Sequence, residues 1–184
     1  LLFDALKDPF WNIRILALPS IENEKNDLGI ETLARIKELA KSDPKSQVRA
    51  AALKTLCALE DSVVATELLK AAISTDQSYT VISSALAILT EINPEEALIV
   101  ARNLMKEGNP TLNVSITGVL QQLGTEEDIP FFDKNLKNNS FKGYDEDIFK
   151  RKLVSIVGYL DHFTMSATTV VLVGRVVGRA TSVA

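Results

Sequence analysis

Few side chains in this sequence are placed to do chemistry. His162, the single histidine, follows Asp161, a neighbour that could orient an imidazole. Ser155 and Ser166 stand close by in sequence, but a triad needs the fold itself to hold a nucleophile against the ring. Cys57, the single cysteine, falls beside an apolar stripe and reads as a small packed hydrophobe. Glu95-Glu96, Glu126-Glu127-Asp128 and Asp145-Glu146-Asp147 each open a helical stretch. Carboxylates there favour the positive end of the helix dipole, which accounts for them without acid–base catalysis. One His and one Cys cannot build a zinc site from nitrogen and sulfur ligands, because a structural site takes about four ligands and a catalytic one about three. The same count excludes a disulfide framework, and Tyr144–Asp147 lacks the spacing of a calcium loop. No catalytic and no metal-binding residue is assigned, and no cofactor is expected in this chain.

The elements that carry these residues follow from a repeat. An Asp or Asn, often followed by Pro, precedes an aliphatic residue by five positions: Asp8-Pro9…Ile13, Asp43-Pro44…Val48, Asp76…Val81 and Asn109-Pro110…Val114. The spacings are 35, 33 and 33 residues, and a degraded fifth copy follows 34 residues on, from Gly143 with Ile148 in the aliphatic slot. Four positions after the aliphatic residue stand Ala17, Ala52, Ala85 and Gly118, with Lys152 breaking the pattern in the fifth copy. Leu18, Leu53, Leu86, Val119 and Leu153 stand five after it, and Ile21, Leu56, Leu89 and Ile156 eight after it, with Gln122 the exception. That stripe is the buried face of a helix, termed B below. Asp or Asn suits the site before a helix because it accepts hydrogen bonds from free amides, and Pro suits the first turn. Charged amphipathic A helices are predicted at Ile30–Lys41, Ser62–Ser74, Pro94–Glu107 and Glu126–Lys137, with Gly108 and Gly124 as stops. Pro19 is expected to kink or shorten the first B helix.

Composition agrees with a folded, globular chain. Of 184 residues, 46% are apolar and 24% charged, which argues against disorder. The net charge of −4 gives no basic footprint for nucleic acid and no attraction to anionic lipid. The uncharged run Phe163–Gly174 is too short to span a bilayer. The opening Leu1-Leu2-Phe3-Asp4 has no basic signal-peptide region and reads as the end of a helix, so a segment of a longer protein is expected. A lone thiol fits the cytoplasm or the periplasm alike. Asn113-Val114-Ser115 and Asn138-Asn139-Ser140 match the glycosylation sequon, the first inside a predicted helix.

The charge is not evenly spread. No charged residue occurs from Gln77 to Thr90 or from Gly108 to Gly124. The non-core positions of these two B helices are Ser83, Ser84, Ala87, Ile116, Thr117, Leu120 and Gln121. In a solenoid the B helices line one continuous surface, so these seven residues are the expected docking face for a protein. The alternative is that tight stacking of repeats hides them. Phe10 with Trp11 offers either an exposed anchor or a cover for the edge of a repeat.

Paired helices at this period fit HEAT or TPR repeats, and the Trp, Gly, Tyr and Ala pattern of TPR is missing. Arg14 and Arg49, directly after the aliphatic residue, resemble HEAT repeats specifically. The expectation is an α-α superhelix, a HEAT-like solenoid of about five helical hairpins over residues 1–163, and a tail of residues 164–184, rich in Thr and Val, that closes it with a helix. The stretches Leu6-Lys7-Asp8-Pro9-Phe10-Trp11-Asn12-Ile13-Arg14 and Ala40–Leu53 are further similar to the C-terminal helical region of bacterial M1-family zinc aminopeptidases. That resemblance implies a non-catalytic domain that packs on a catalytic domain and shapes access to its cleft. Any zinc would then belong to the parent catalytic domain, since His-Glu-x-x-His and Gly-x-Met-Glu-Asn do not occur here. The alternative is a HEAT-repeat scaffold or adaptor for protein–protein interaction.

Overall fold

The computed structural model describes residues 2–22, 28–128, 130–132 and 134. Among them every regular element is helical and no strand occurs. In order these are α1 (Leu2–Ala5), α2 (Trp11–Glu22), α3 (Ile30–Ser42), α4 (Ser46–Leu59), α5 (Ser62–Thr75), α6 (Tyr79–Ile92), α7 (Pro94–Glu107) and α8 (Asn113–Leu123). The chain divides into two compact units, Leu1–Asn103 and Leu104–Ala184, with α7 spanning the division.

The first unit is a stack of helical hairpins. α3 packs on α4 and α5 on α6 within hairpins, and α2, α4 and α6 pack in succession across them. The predicted stripe is the reason. Val48, Ala52, Leu53 and Leu56 are buried on α4, and Val81, Ala85, Leu86 and Leu89 on α6. Leu6, Leu18, Ile21, Ile36, Leu39 and Val48 gather into one core, against which Trp11 packs while Phe10 stays exposed. Trp11 therefore covers an edge of the repeat. α2 runs through Pro19 as far as Glu22, so the proline does not stop the helix. Pro19 is exposed, where a missing backbone hydrogen bond is least costly.

The turns before the B helices use one device in four copies. Asp8 Oδ1 accepts the amide of Phe10 at 2.7 Å, Asp43 Oδ1 that of Lys45 at 2.8 Å, Asp76 Oδ1 that of Ser78 at 2.7 Å and Asn109 Oδ1 that of Thr111 at 3.1 Å. Each is an Asx turn closed on the residue two positions on. In the first three copies the expected cap is thus corrected, since the side chain binds an amide ahead of the helix rather than inside its first turn; Asn109, as expected, caps the helical turn Pro110–Leu112 through the amide of Thr111. A conventional cap does occur at α5, where Asp61 Oδ1 accepts from the amides of Val63 and Val64 at 2.9 and 3.0 Å.

In the second unit α8 follows a 3-10 turn, Pro110–Leu112. In copies one to three the B helix starts three residues after the Asp, at Trp11, Ser46 and Tyr79; α8 starts four after Asn109. A 3-10 turn advances about 120° per residue against about 100° in an α-helix, so it rotates the face that follows. On α8 Ile116, Thr117, Val119 and Leu120 are buried, while the template positions Val114 and Gly118 are half-buried and Gln122 is exposed. Gly108 takes φ +74°, the left-handed stop expected after α7. Gly124 ends α8 with an ordinary φ; glycine is needed there because a Cβ would run into the carbonyl of Leu120. Glu126–Asp128 forms a 3-10 turn, and Asp128 Oδ2 reaches back to the amide of Thr125 at 2.9 Å. The fifth copy with Ile148 and Lys152, the boundary at 163/164 and the tail 164–184 lie outside the described residues.

Candidate interaction surface

A ladder of ion pairs sets how the hairpins of the first unit are spaced. Arg14, one residue after the aliphatic slot of copy one, donates through Nε and Nη2 to both carboxylate oxygens of Asp43, at 2.8 and 3.0 Å. Its Nη1 donates to the carbonyl oxygen of Asp8 at 2.7 Å. Arg49 repeats this one copy later, to Asp76 at 2.7 and 2.9 Å and to the carbonyl of Asp43 at 2.8 Å. Each Asp therefore closes its own turn and takes the guanidinium of the preceding copy, which its lone pairs permit. Two parallel bonds to a planar guanidinium fix orientation as well as distance. The side chains of Arg14 and Asp43 are 9% and 3% exposed, those of Arg49 and Asp76 16% and 11%, so water screens the pairs little. The hydrogen bonds from Arg49 hold the Asp76 carboxyl below its usual range, and Asp76 in turn raises the guanidinium of Arg49. In copy three Ile82 fills the arginine slot, and Asn109 the following acid slot. Both members of the pair are replaced together.

With α2, α4 and α6 held side by side, one ridge is presented by the positions three and six after the aliphatic slot. These are Leu16 and Pro19, Ala51 and Lys54, Ser84 and Ala87. Leu16 is 69% exposed; Pro19, Lys54 and Ala87 are exposed, and Ala51 and Ser84 half-buried. Lys54 is the one charged residue among the six.

The seven residues expected as a docking face separate. Ala87 is exposed, and Ser83, Ser84 and Gln121 are half-buried. Ile116, Thr117 and Leu120 are buried, at 0, 3 and 1% exposure. These three are corrected: they belong to the core of their unit and offer no surface to a partner. Leu16, Pro19, Ala51 and Lys54 were missed, although the offset that marks Ser84 and Ala87 also marks them. Absence of charge marks α6 and α8 alone, and Lys54 interrupts the same register on α4.

No other chemistry is built among the described residues. Cys57 is half-buried, and burial, helped by the nearby charge of Glu60, pushes its thiol up to about 11, away from the reactive thiolate. No group of three or more His, Cys, Asp or Glu side chains that could hold a metal occurs there. No helix among these residues is long and apolar enough to cross a membrane. Asn113 of the first sequon is buried at the start of α8. His162, Asp161, Ser155, Ser166, Asp145–Asp147 and Asn138 lie outside the described residues.

Residues 1–88 match the family of HEAT repeats. The match spans the first two hairpins and most of the third, including both rungs of the ladder. It supports a HEAT-repeat domain, a helical scaffold of the kind that repeats build for protein interaction. No curated protein and no solved structure matches the chain.

Proposed function

We propose that the chain is a non-catalytic scaffold that docks a protein on the ridge of α2, α4 and α6. The observation that carries this is the ridge itself. Three helices locked in register expose a nearly uncharged row from Leu16 to Ala87, where a solvated surface would hold Lys and Glu. Proteins captured from the source by the immobilised chain should be lost on Leu16→Glu and on Ala87→Lys, and kept on Glu67→Lys, an exposed change on α5. Equal capture by all three variants would refute the ridge.

The narrower reading places the scaffold at the C-terminal side of an M1-type zinc aminopeptidase, packed on the catalytic domain. Its support is the resemblance of residues 6–14 and 40–53, and the family match speaks only for the HEAT repeats. Sequencing the parent gene decides it: His-Glu-x-x-His with a distal Glu upstream is the expected result, and further helical repeats alone would end this reading.

A further inference from the structure

A groove of about 770 Å³ opens between α3 and α5, on the first helices of copies two and three. Its base is apolar, with Leu53 and Leu56 from α4 and Leu68 from α5. Ala40 on one wall and Ala71 and Ala72 on the other are small enough to let a chain approach closely. The charge around it is one-sided. The acids that line it, Asp43 and Asp76, are held by Arg14 and Arg49 and cannot balance further cations. Lys41 has no ion-pair or hydrogen-bond partner among the described residues, and Lys37 reaches only Glu60, at 3.9 Å. An apolar trough thus carries two exposed lysines on one rim, Lys41 without a partner among the described residues and Lys37 in a long ion pair with Glu60.

We infer that this groove seats an acidic, apolar-anchored peptide segment of a protein partner. The inference rests on the scaffold reading and adds a second seat, on the A helices, to the ridge on the B helices. Lys37 and Lys41 are one helical turn apart, about 6 Å along α3. Two acids at i and i+4 of a bound helix, or at i and i+2 of an extended segment, meet that spacing. Leucine-sized side chains beside them fill the trough over Leu53 and Leu56. A single-stranded nucleic acid fits poorly, since it uses aromatic platforms for its bases and the lining holds none.

The test is selection of a displayed random peptide library on the full chain, followed by binding of the enriched peptides to three variants. Enriched peptides are expected to carry paired acids at one of these spacings next to a large apolar residue. Their affinity should fall about tenfold or more on Lys37→Glu with Lys41→Glu and weaken with salt. It should vanish on Ala72→Trp, which fills the groove, and hold on Ala87→Lys. Both lysines are exposed, so that pair decides alone if Ala72→Trp fails to fold by circular dichroism. Peptides without acids, or unchanged affinity on the lysine pair, overturn the proposal. Peptides lost on Ala87→Lys alone remove the groove and leave the scaffold reading intact, whereas no enrichment on the wild-type chain removes both.

Discussion

At the scale of single residues, Thr117 shows what a sequence pattern misses. Its hydroxyl is polar and it stands on an uncharged helix, both features of an open face, yet it is 3% exposed. Its Oγ1 is buried without a hydrogen-bond partner among the described residues. A buried hydroxyl that has given up water and gained nothing costs about 1–3 kcal/mol. Thr117→Val keeps the shape and removes that cost, so it should raise the unfolding free energy by about 0.5–1 kcal/mol, read by urea denaturation. A loss of stability would show that the hydroxyl is satisfied in solution. Thr117→Lys, a natural choice for probing a docking face, would instead bury an ammonium and report on folding. The Asp residues were easier to read. Asp before Pro marks a turn by itself, whereas the reach of Arg14 to Asp43, 29 residues on, is a fact of packing that local spacing does not contain.

At the scale of helices, the stripe at i, i+4, i+5 and i+8 was legible for α4 and α6 because those helices start at one fixed distance from the Asp and stay α-helical throughout. It failed on α8, which follows a 3-10 turn, starts one residue later in its copy and buries a different face, and Pro110 alone does not announce this, since Pro44 opens no such turn. The ladder joins helices across copies, and its energetics are testable there. Removing one partner leaves the other buried and unpaired, so Arg49→Ile alone and Asp76→Asn alone should each cost about 2 kcal/mol, less than a fully buried pair because both are partly exposed. The double variant copies Ile82 and Asn109 of the next repeat and should cost less than the sum, a coupling of about 1 kcal/mol or more in a double-mutant cycle. Additive losses would mean that the rung contributes no coupling. The same rung has a pH signature. The folded-state pKa of Asp76 is depressed, so its contribution is complete above the unfolded value, about 3.9, and fades as pH falls through the lower folded value. Arg49 stays charged throughout. The stability gap between wild type and Asp76→Asn should therefore hold from pH 7 to about pH 5 and close below about pH 4.

At the scale of the whole molecule, the repeat period and the charge asymmetry between A and B helices were enough to read an all-α stack, because each hairpin buries its apolar face only against a neighbour. The division at Asn103 and Leu104 was not legible, since it interrupts α7, whose sequence is continuous in amphipathic pattern. The ladder itself occupies copies one to three and gives way to Ile82 and Asn109 afterwards. Stacked repeats are stabilised by their own folding and by nearest-neighbour interfaces, so damage at one interface should decay with distance along the stack. Arg14→Ala breaks the rung between copies one and two and leaves the Asp43 carboxylate with the Lys45 amide as its hydrogen-bond donor. Native-state hydrogen exchange should then show the largest loss of protection in α2 and α4, equivalent to about 2–3 kcal/mol. A smaller loss is expected in α6, which packs on α4 one step further along the stack, and none in α8, which belongs to the other unit. A uniform loss from α2 to α8 would show instead that the described helices open as one cooperative body, and the ladder would then be a brace for the whole rather than for its first three copies.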